Sequence, residues 1–195
     1  MSATATAFSA APLDSAAAAL AAMLARSTVE VRPLARGASA GAAVGAGVVW
    51  HRDGLILTNA HVARGHVSVV LSDRRVLSAR LVARDLERDL AALVVDATDL
   101  PAAEIGDSSA LRVGELVVAV GNPLGLVRAL SAGLVHAVGR RAIQADLRLA
   151  PGNSGGPLAD ARGRVVGLNA MIVGELAVAV PSNEARRFVR EQLRP

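Results

Sequence analysis

The chain has 195 residues, 52% of them hydrophobic and 19% charged, enough for one well-buried domain or two small halves packed on a shared cleft. Aromatics are only 2%, so the core must be built from Ala, Val and Leu, and the net charge of +4 comes from arginine alone, scattered in pairs (Arg74 and Arg75, Arg140 and Arg141, Arg186 and Arg187) among aliphatics, which argues against a nucleic-acid partner. The absence of cysteine excludes disulfides and thiolate metal sites and leaves packing and sheet hydrogen bonds to hold the fold.

Residues 1–27 form an alanine-rich segment with an apolar run over 16–25. It lacks a basic leader and carries Asp14 just before the run, so it reads as non-cleaved and as cytoplasmic, with an exported location left open. The run is shorter than the roughly 20 apolar residues a membrane span needs. It is expected to be a short helix capped near Asp14, lying on the surface or making an oligomer contact.

Residues 28–32 alternate as a half-buried strand, and 37–47 follow as a glycine and alanine loop. The string GAAVGAG at 41–47 resembles a phosphate-binding loop only superficially, because it leads into a strand where such loops open a helix. From Gly45 the pattern is strand, turn, strand, with Asp53-Gly54 as the hairpin signal and His61 at the end of the second strand. Further strands are expected over 66–71, 75–84, 90–95, 111–120, 133–139, 165–172 and 175–180. Many short strands and few helices predict an all-β fold. At the C-terminus, Pro181 and Ser182 precede NEARRFVREQL, a helix with a capping hydroxyl, an acid in its first turn and Phe188 and Val189 on one face.

Acyl transfer needs a hydroxyl activated by a base, a carboxylate that holds the base in one tautomer, and backbone donors for the developing oxyanion. Ser154 lies in PGNSGGPL, where Gly152, Gly155 and Gly156 permit a sharp turn in which the amides of Gly152 and Ser154 can converge. Alone, such a string is equally a tight glycine turn. It is accompanied by His61 in LTNAHVA, 28 residues before Asp89 in RDLAALVVD, which lies 65 residues before Ser154. His, Asp and Ser in that order match one known arrangement of the triad. His51, His66 and His136 show no ligand spacing, so neither a metal nor any other cofactor is expected.

These residues sit in GAGVVWHRDGLILTNAHV, DLAALVVD, GDSSALRVGELVVAVGNPLGL, SAGLVHAVGR, IQADLRLAPGNSGGPLADARGRVVGLNAMIV and VAVPS. Over about 44–182 the chain resembles the protease domain of the HtrA (Deg) family of trypsin-like serine proteases. The resemblance implies a chymotrypsin-like double β-barrel, its barrels over about 28–108 and 109–181, followed by a C-terminal helix at 182–193. It implies His61 as base, Asp89 as orienting carboxylate and Ser154 as nucleophile, with Gly152, Asn153 and Ser154 in the oxyanion loop. Asn153 replaces the aspartate with which digestive relatives pair a newly cut N-terminus, so zymogen activation is not expected. The resemblance also places Arg148, Leu149, Ala170, Met171 and Ile172 around the substrate side chain before the scissile bond, which the aliphatic residues predict to be small or medium and aliphatic.

The implied activity is endoproteolysis of unfolded or damaged polypeptides in protein quality control, the alternative being a peptide-binding or chaperone-like module of the same fold with little turnover. Three departures qualify it. No PDZ domain follows the protease domain; of the aromatics through which family trimers assemble only Phe8 remains, which leaves monomer and homotrimer both open; and Ala170 stands where relatives often carry a hydroxyl that supports the catalytic aspartate.

Overall fold

A computed structural model describes residues 11–33, 45–121 and 129–193; Phe8 and most of the glycine-rich stretch before Gly45 lie outside them. Among the described residues, twelve strands form two closed antiparallel barrels. The first contains β1 (Thr28–Pro33), β2 (Gly45–His51), β3 (Leu55–Thr58), β4 (Val67–Val70), β5 (Val76–Asp85) and β6 (Leu90–Val95) in the order β1-β2-β3-β6-β5-β4. The second contains β7 (Leu116–Gly121), β8 (Ala129–Val138), β9 (Ile143–Asp146), β10 (Pro157–Asp160), β11 (Val165–Val173) and β12 (Leu176–Pro181) in the order β10-β11-β12-β9-β8-β7. The pairings β1 with β4 and β10 with β7 close the two sheets and remove their edges.

The hydrophobic alternation divides into three cores. Val31, Ile56, Val69 and Leu93 fill the first barrel, and Val117, Ile143, Leu158 and Val166 fill the second. The third lies between them, where Val48, Leu57 and Leu90 meet Val118, Val165 and Leu168. Both helices are anchored in this third core: α1 (Ala11–Ser27) through Leu24 and α2 (Ser182–Gln192) through Phe188, each almost wholly buried. Burying a Leu or Phe side chain contributes about 1.5–3 kcal/mol, so the helices hold the two barrels together as well as covering them.

Several local expectations are corrected. Helix α1 begins before Asp14, which sits inside its first turn and faces the positive end of the dipole. Its last turn is closed by the Thr28 and Ser27 hydroxyls, which donate to the Leu24 carbonyl at 2.8 and 3.2 Å. Strand β7 starts at Leu116 because Gly114, at φ 86, turns the chain within the segment read as strand from 111. Strands β9 and β10 carry four residues each, too few for a visible alternation, and β10 opens on Pro157, a residue that argues against a strand. Ser182 does not cap α2: Pro181 holds the cap position, and the Ser182 hydroxyl donates to the Gly106 carbonyl at 2.8 Å, pinning the helix to the segment that joins the barrels.

Candidate active site

Strand β3 ends at Thr58, and His61 follows in a turn of its own rather than on the strand. The turn forms because the amides of Val62 and Ala63 both donate to the Asn59 carbonyl at 3.2 Å. Asp89 occupies the last position of the turn between β5 and β6, at φ 53, a left-handed conformation that Asp tolerates better than most residues. The two turns meet. The Asp89 carboxylate lies 2.8 and 3.0 Å from Nδ1 of His61 through its two oxygens, and it also accepts the His61 amide at 3.1 Å. With Nδ1 committed to a carboxylate that can only accept, the neutral ring carries its proton there, and Nε2 presents a lone pair. The His61 and Asp89 side chains are 38% and 21% exposed, so the pair opens to the cleft without being flooded by water.

Ser154 comes from the second barrel, in the turn before β10, and its backbone is fastened to the first. The Ala46 amide of β2 donates to the Ser154 carbonyl at 2.7 Å. Gly155, at φ 83, could carry no side chain: a Cβ there would stand 2.2 Å from both the Ala46 carbonyl and the Thr58 hydroxyl. Gly45 lies equally close, with a virtual Cβ 2.4 Å from Val62 and 3.2 Å from the Ser154 carbonyl. The serine turn therefore packs directly on the strand that leads to His61. The Gly155 amide donates to the Asn169 carbonyl at 2.7 Å and the Asn153 amide to Ala150 at 3.0 Å. Among the described residues no backbone acceptor engages the amides of Gly152 and Ser154, while the Asn153 amide is spent within the turn.

A bulge in β11 shapes the other wall. Asn169 pairs with Ala179 and Met171 with Val178, leaving Ala170 as the extra residue outside the ladder. Its side chain is buried in the core between the barrels, and its carbonyl accepts the Ser154 hydroxyl at 3.1 Å. That hydroxyl is not hydrogen-bonded to His61 in this state. Met171 and Ile172 lie beyond the bulge with about half their surface exposed. Arg148 is exposed, whereas Leu149 is half-buried against the second barrel's core.

Four supporting residues were not singled out from the sequence. Thr58 donates to the Ala46 carbonyl at 2.6 Å and Asn59 to the Asp89 carbonyl at 2.9 Å, joining the end of β3 to β2 and to the turn of Asp89. Arg84 donates to the Ala60 carbonyl at 3.2 and 2.8 Å, and Arg88 adjoins Asp89. The polar Thr58-Asn59 pair at the end of an apolar strand was a readable signal for the first two. The arginines gave none, since their partners are distant in sequence.

Two closed antiparallel barrels, with a paired histidine and carboxylate in one and a serine in a glycine turn of the other that is fastened to it, define the class of double-barrel serine peptidases. The chain belongs to the trypsin-like peptidase domain family, whose description matches residues 45–168. A DegP-like periplasmic serine endoprotease of Hahella chejuensis is 46% identical over 147 residues, covering 70% of this chain and 31% of the relative. Its counterpart in Halomonas elongata is 40% identical over 167 residues, 77% of this chain and 35% of the relative. This chain thus spans about a third of the length of these relatives. In three dimensions it matches the HtrA-type protease AlgW, solved with a decapeptide, at a TM-score of 0.81 and 28% identity, over 90% of this chain and 67% of that one. These are DegP and HtrA homologues, as the sequence motifs indicated.

The expectation of a cytoplasmic location is overturned by these relatives, which are named periplasmic. Of the alanine-rich segment that suggested it, residues 11–27 form a helix whose Leu24 is buried in the core between the barrels. No helix among the described residues is long and apolar enough to cross a membrane.

Proposed function

We propose that this domain is a serine endopeptidase in which Ser154 attacks the scissile carbonyl, His61 takes its proton through Nε2, and Asp89 holds the ring and stabilises the imidazolium. The observation that carries this reading is the doubly contacted His61–Asp89 pair beside a serine turn strapped to the same barrel. For the attack, the Ser154 hydroxyl leaves the Ala170 carbonyl and turns to the imidazole. The amides of Gly152 and Ser154 then receive the oxyanion, each good donor being worth about 2.7–4 kcal/mol in the transition state. His61 returns the serine proton to the leaving nitrogen as the C–N bond breaks, leaving the acyl group on Ser154, and the ring, neutral again, deprotonates the water that hydrolyses the acyl-enzyme.

Substrate enters as an added strand. Strand β10 covers β11 only up to Leu168, so beyond the bulge one edge of Met171–Val173 is unpaired among the described residues and suits an extended peptide. The exposed aliphatic side chains there favour small or medium aliphatic residues before the cleaved bond. Unfolded polypeptides, which present extended apolar segments, are the substrate class, and quality control in the periplasm, where the relatives are named to act, is the role.

A second reading, peptide capture with little turnover, is favoured by one observation: the Ser154 hydroxyl rests on a carbonyl and not on the base. A fluorophosphonate probe separates the two. The peptidase is labelled at Ser154 and hydrolyses unfolded casein, and Ser154→Ala abolishes both while the fold is kept. Casein hydrolysis that survives in Ser154→Ala overturns the assignment, and an intact protein that stays unlabelled supports peptide capture.

A further inference from the structure

We propose that Arg88 is a positioning residue, tying the turn that carries Asp89 to helix α2 and so fixing the angle at which Asp89 meets His61; this rests on the reading of Asp89 as the orienting carboxylate. The turn needs such a tie. Strand β5 ends at Asp85 and β6 begins at Leu90, so no sheet ladder holds residues 86–89, and Asp89 keeps its left-handed φ of 53 only while its surroundings enforce it.

The surroundings converge on one guanidinium. The Arg88 amide donates to Asp85 at 2.9 Å, closing the turn locally. Its Nη1 donates to Glu191 at 2.7 Å and lies 3.5 Å from Asp85, while its Nε lies 3.8 Å from Glu184. Glu184 and Glu191 both belong to α2, about a hundred residues away in sequence, so the fork of Arg88 spans two successive turns of that helix. The Arg88 side chain is 27% exposed and that of Glu184 10%, so the Glu184 contact is partly shielded from water, while Glu191, at 43%, meets Arg88 nearer the surface. The guanidinium is held charged beyond its usual range, chiefly by the bond to Glu191.

Helix α2 is a firm post for this purpose. Ser182 is bonded to the Gly106 carbonyl, Arg186 to the Ile105 carbonyl at 2.7 Å, and Asn183 to Asp107 at 2.7 Å, so the helix start is fixed to the inter-barrel segment. Phe188 packs in the same core as Leu90 and Ala92, the residues that follow Asp89. The charges facing Arg88 are Asp85 on its own hairpin and Glu184 and Glu191 on α2, with Arg187 in turn 3.3 Å from Glu184. Those carboxylates offset the charge of Arg88, so its effect on Asp89 is mechanical more than electrostatic.

The test compares wild type with Arg88→Met, which keeps the alkyl stem, and with Glu191→Ala, whose exposed side chain can be removed with the fold intact. Fluorophosphonate labelling of Ser154 is timed across the acid limb of the pH profile, which reports His61. A loosened Asp89 stabilises the imidazolium less, so the limb moves to lower pH. Arg88→Met is expected to label about tenfold slower with that shift, and Glu191→Ala to change in the same direction by less. A lowered Tm with labelling rate and limb unmoved overturns the proposal, and if Arg88→Met fails to fold, the same result in Glu191→Ala does so. Wild type that is labelled, beside variants that match it, removes only the role of Arg88; wild type that is never labelled removes the reading of the site.

Discussion

The two barrels hold their shares of the cleft by different means. In the first, a backbone turn carries His61 and side chains fasten it and Asp89 in place: Thr58, Asn59 and Arg84 fix neighbouring carbonyls, and Arg88 reaches a helix. In the second, Ser154 is positioned almost entirely by backbone, through amide and carbonyl contacts of residues 153–156 and a glycine at positive φ that admits no Cβ. Side-chain fasteners can be weakened by degrees, because a substitution removes one contact and leaves the chain path intact. A backbone fastening lacks such gradation, since any Cβ at Gly155 collides with the other barrel's main chain.

The contrast can be broken in order of effect. Asp89→Asn leaves the shape of the first barrel's pair but loses the charge and the tautomer control, and is expected to lower kcat about 10⁴-fold; stopped assays on casein with a matched melting curve check this, and a loss under tenfold removes Asp89 from the mechanism. Gly155→Ala strikes the second barrel's backbone. Its left-handed φ alone costs about 1–3 kcal/mol, and the clash with Ala46 and Thr58 adds to it, so both labelling and thermal stability should fall together. A variant that stays fully active and stable would show the serine turn to be held otherwise.

The smallest effect concerns the segment between the barrels. Asp107 is held at a pKa of about 2, first by the Ser109 hydroxyl, then by the Asn183 amide on α2 and the Ser109 backbone amide. A carboxylate whose folded pKa is depressed adds stability that is fully present above the ordinary value of 3.8 and disappears as pH falls toward 2. The difference in Tm between wild type and Asp107→Asn should therefore narrow across that window. A gap that is constant with pH assigns the segment's hold on α2 to the Ser182–Gly106 and Arg186–Ile105 bonds alone.

What could be read in advance follows from how far apart the causes lie along the chain. The hairpin at Asp53-Gly54, most of the alternating strands and the glycines around Ser154 are local patterns and appear close to where they were expected, although β8 begins at Ala129, four residues ahead of the expected start. Strands β9 and β10, the true start of β7 and the destination of the Ser182 hydroxyl escaped, because four residues carry no period and a hydroxyl has several acceptors within reach. Within the site, the residue types were legible from the motifs. That the Asn153 amide is spent in the turn, that Ala170 is bulged, and that the Ser154 hydroxyl rests on its carbonyl depend on hydrogen bonds between segments.

The sequence by itself determined that there would be short strands, a histidine, an aspartate and a serine in that order, and a glycine turn that only a crowded backbone requires. Tertiary structure decided what those residues touch. Burial of both helices in the core between the barrels brings α2 against the turn of Asp89, and a backbone bond from Ala46 brings the serine turn against β2 of the first barrel. Contacts of that kind join segments roughly a hundred residues apart, and their geometry exists only once the chain has closed on itself.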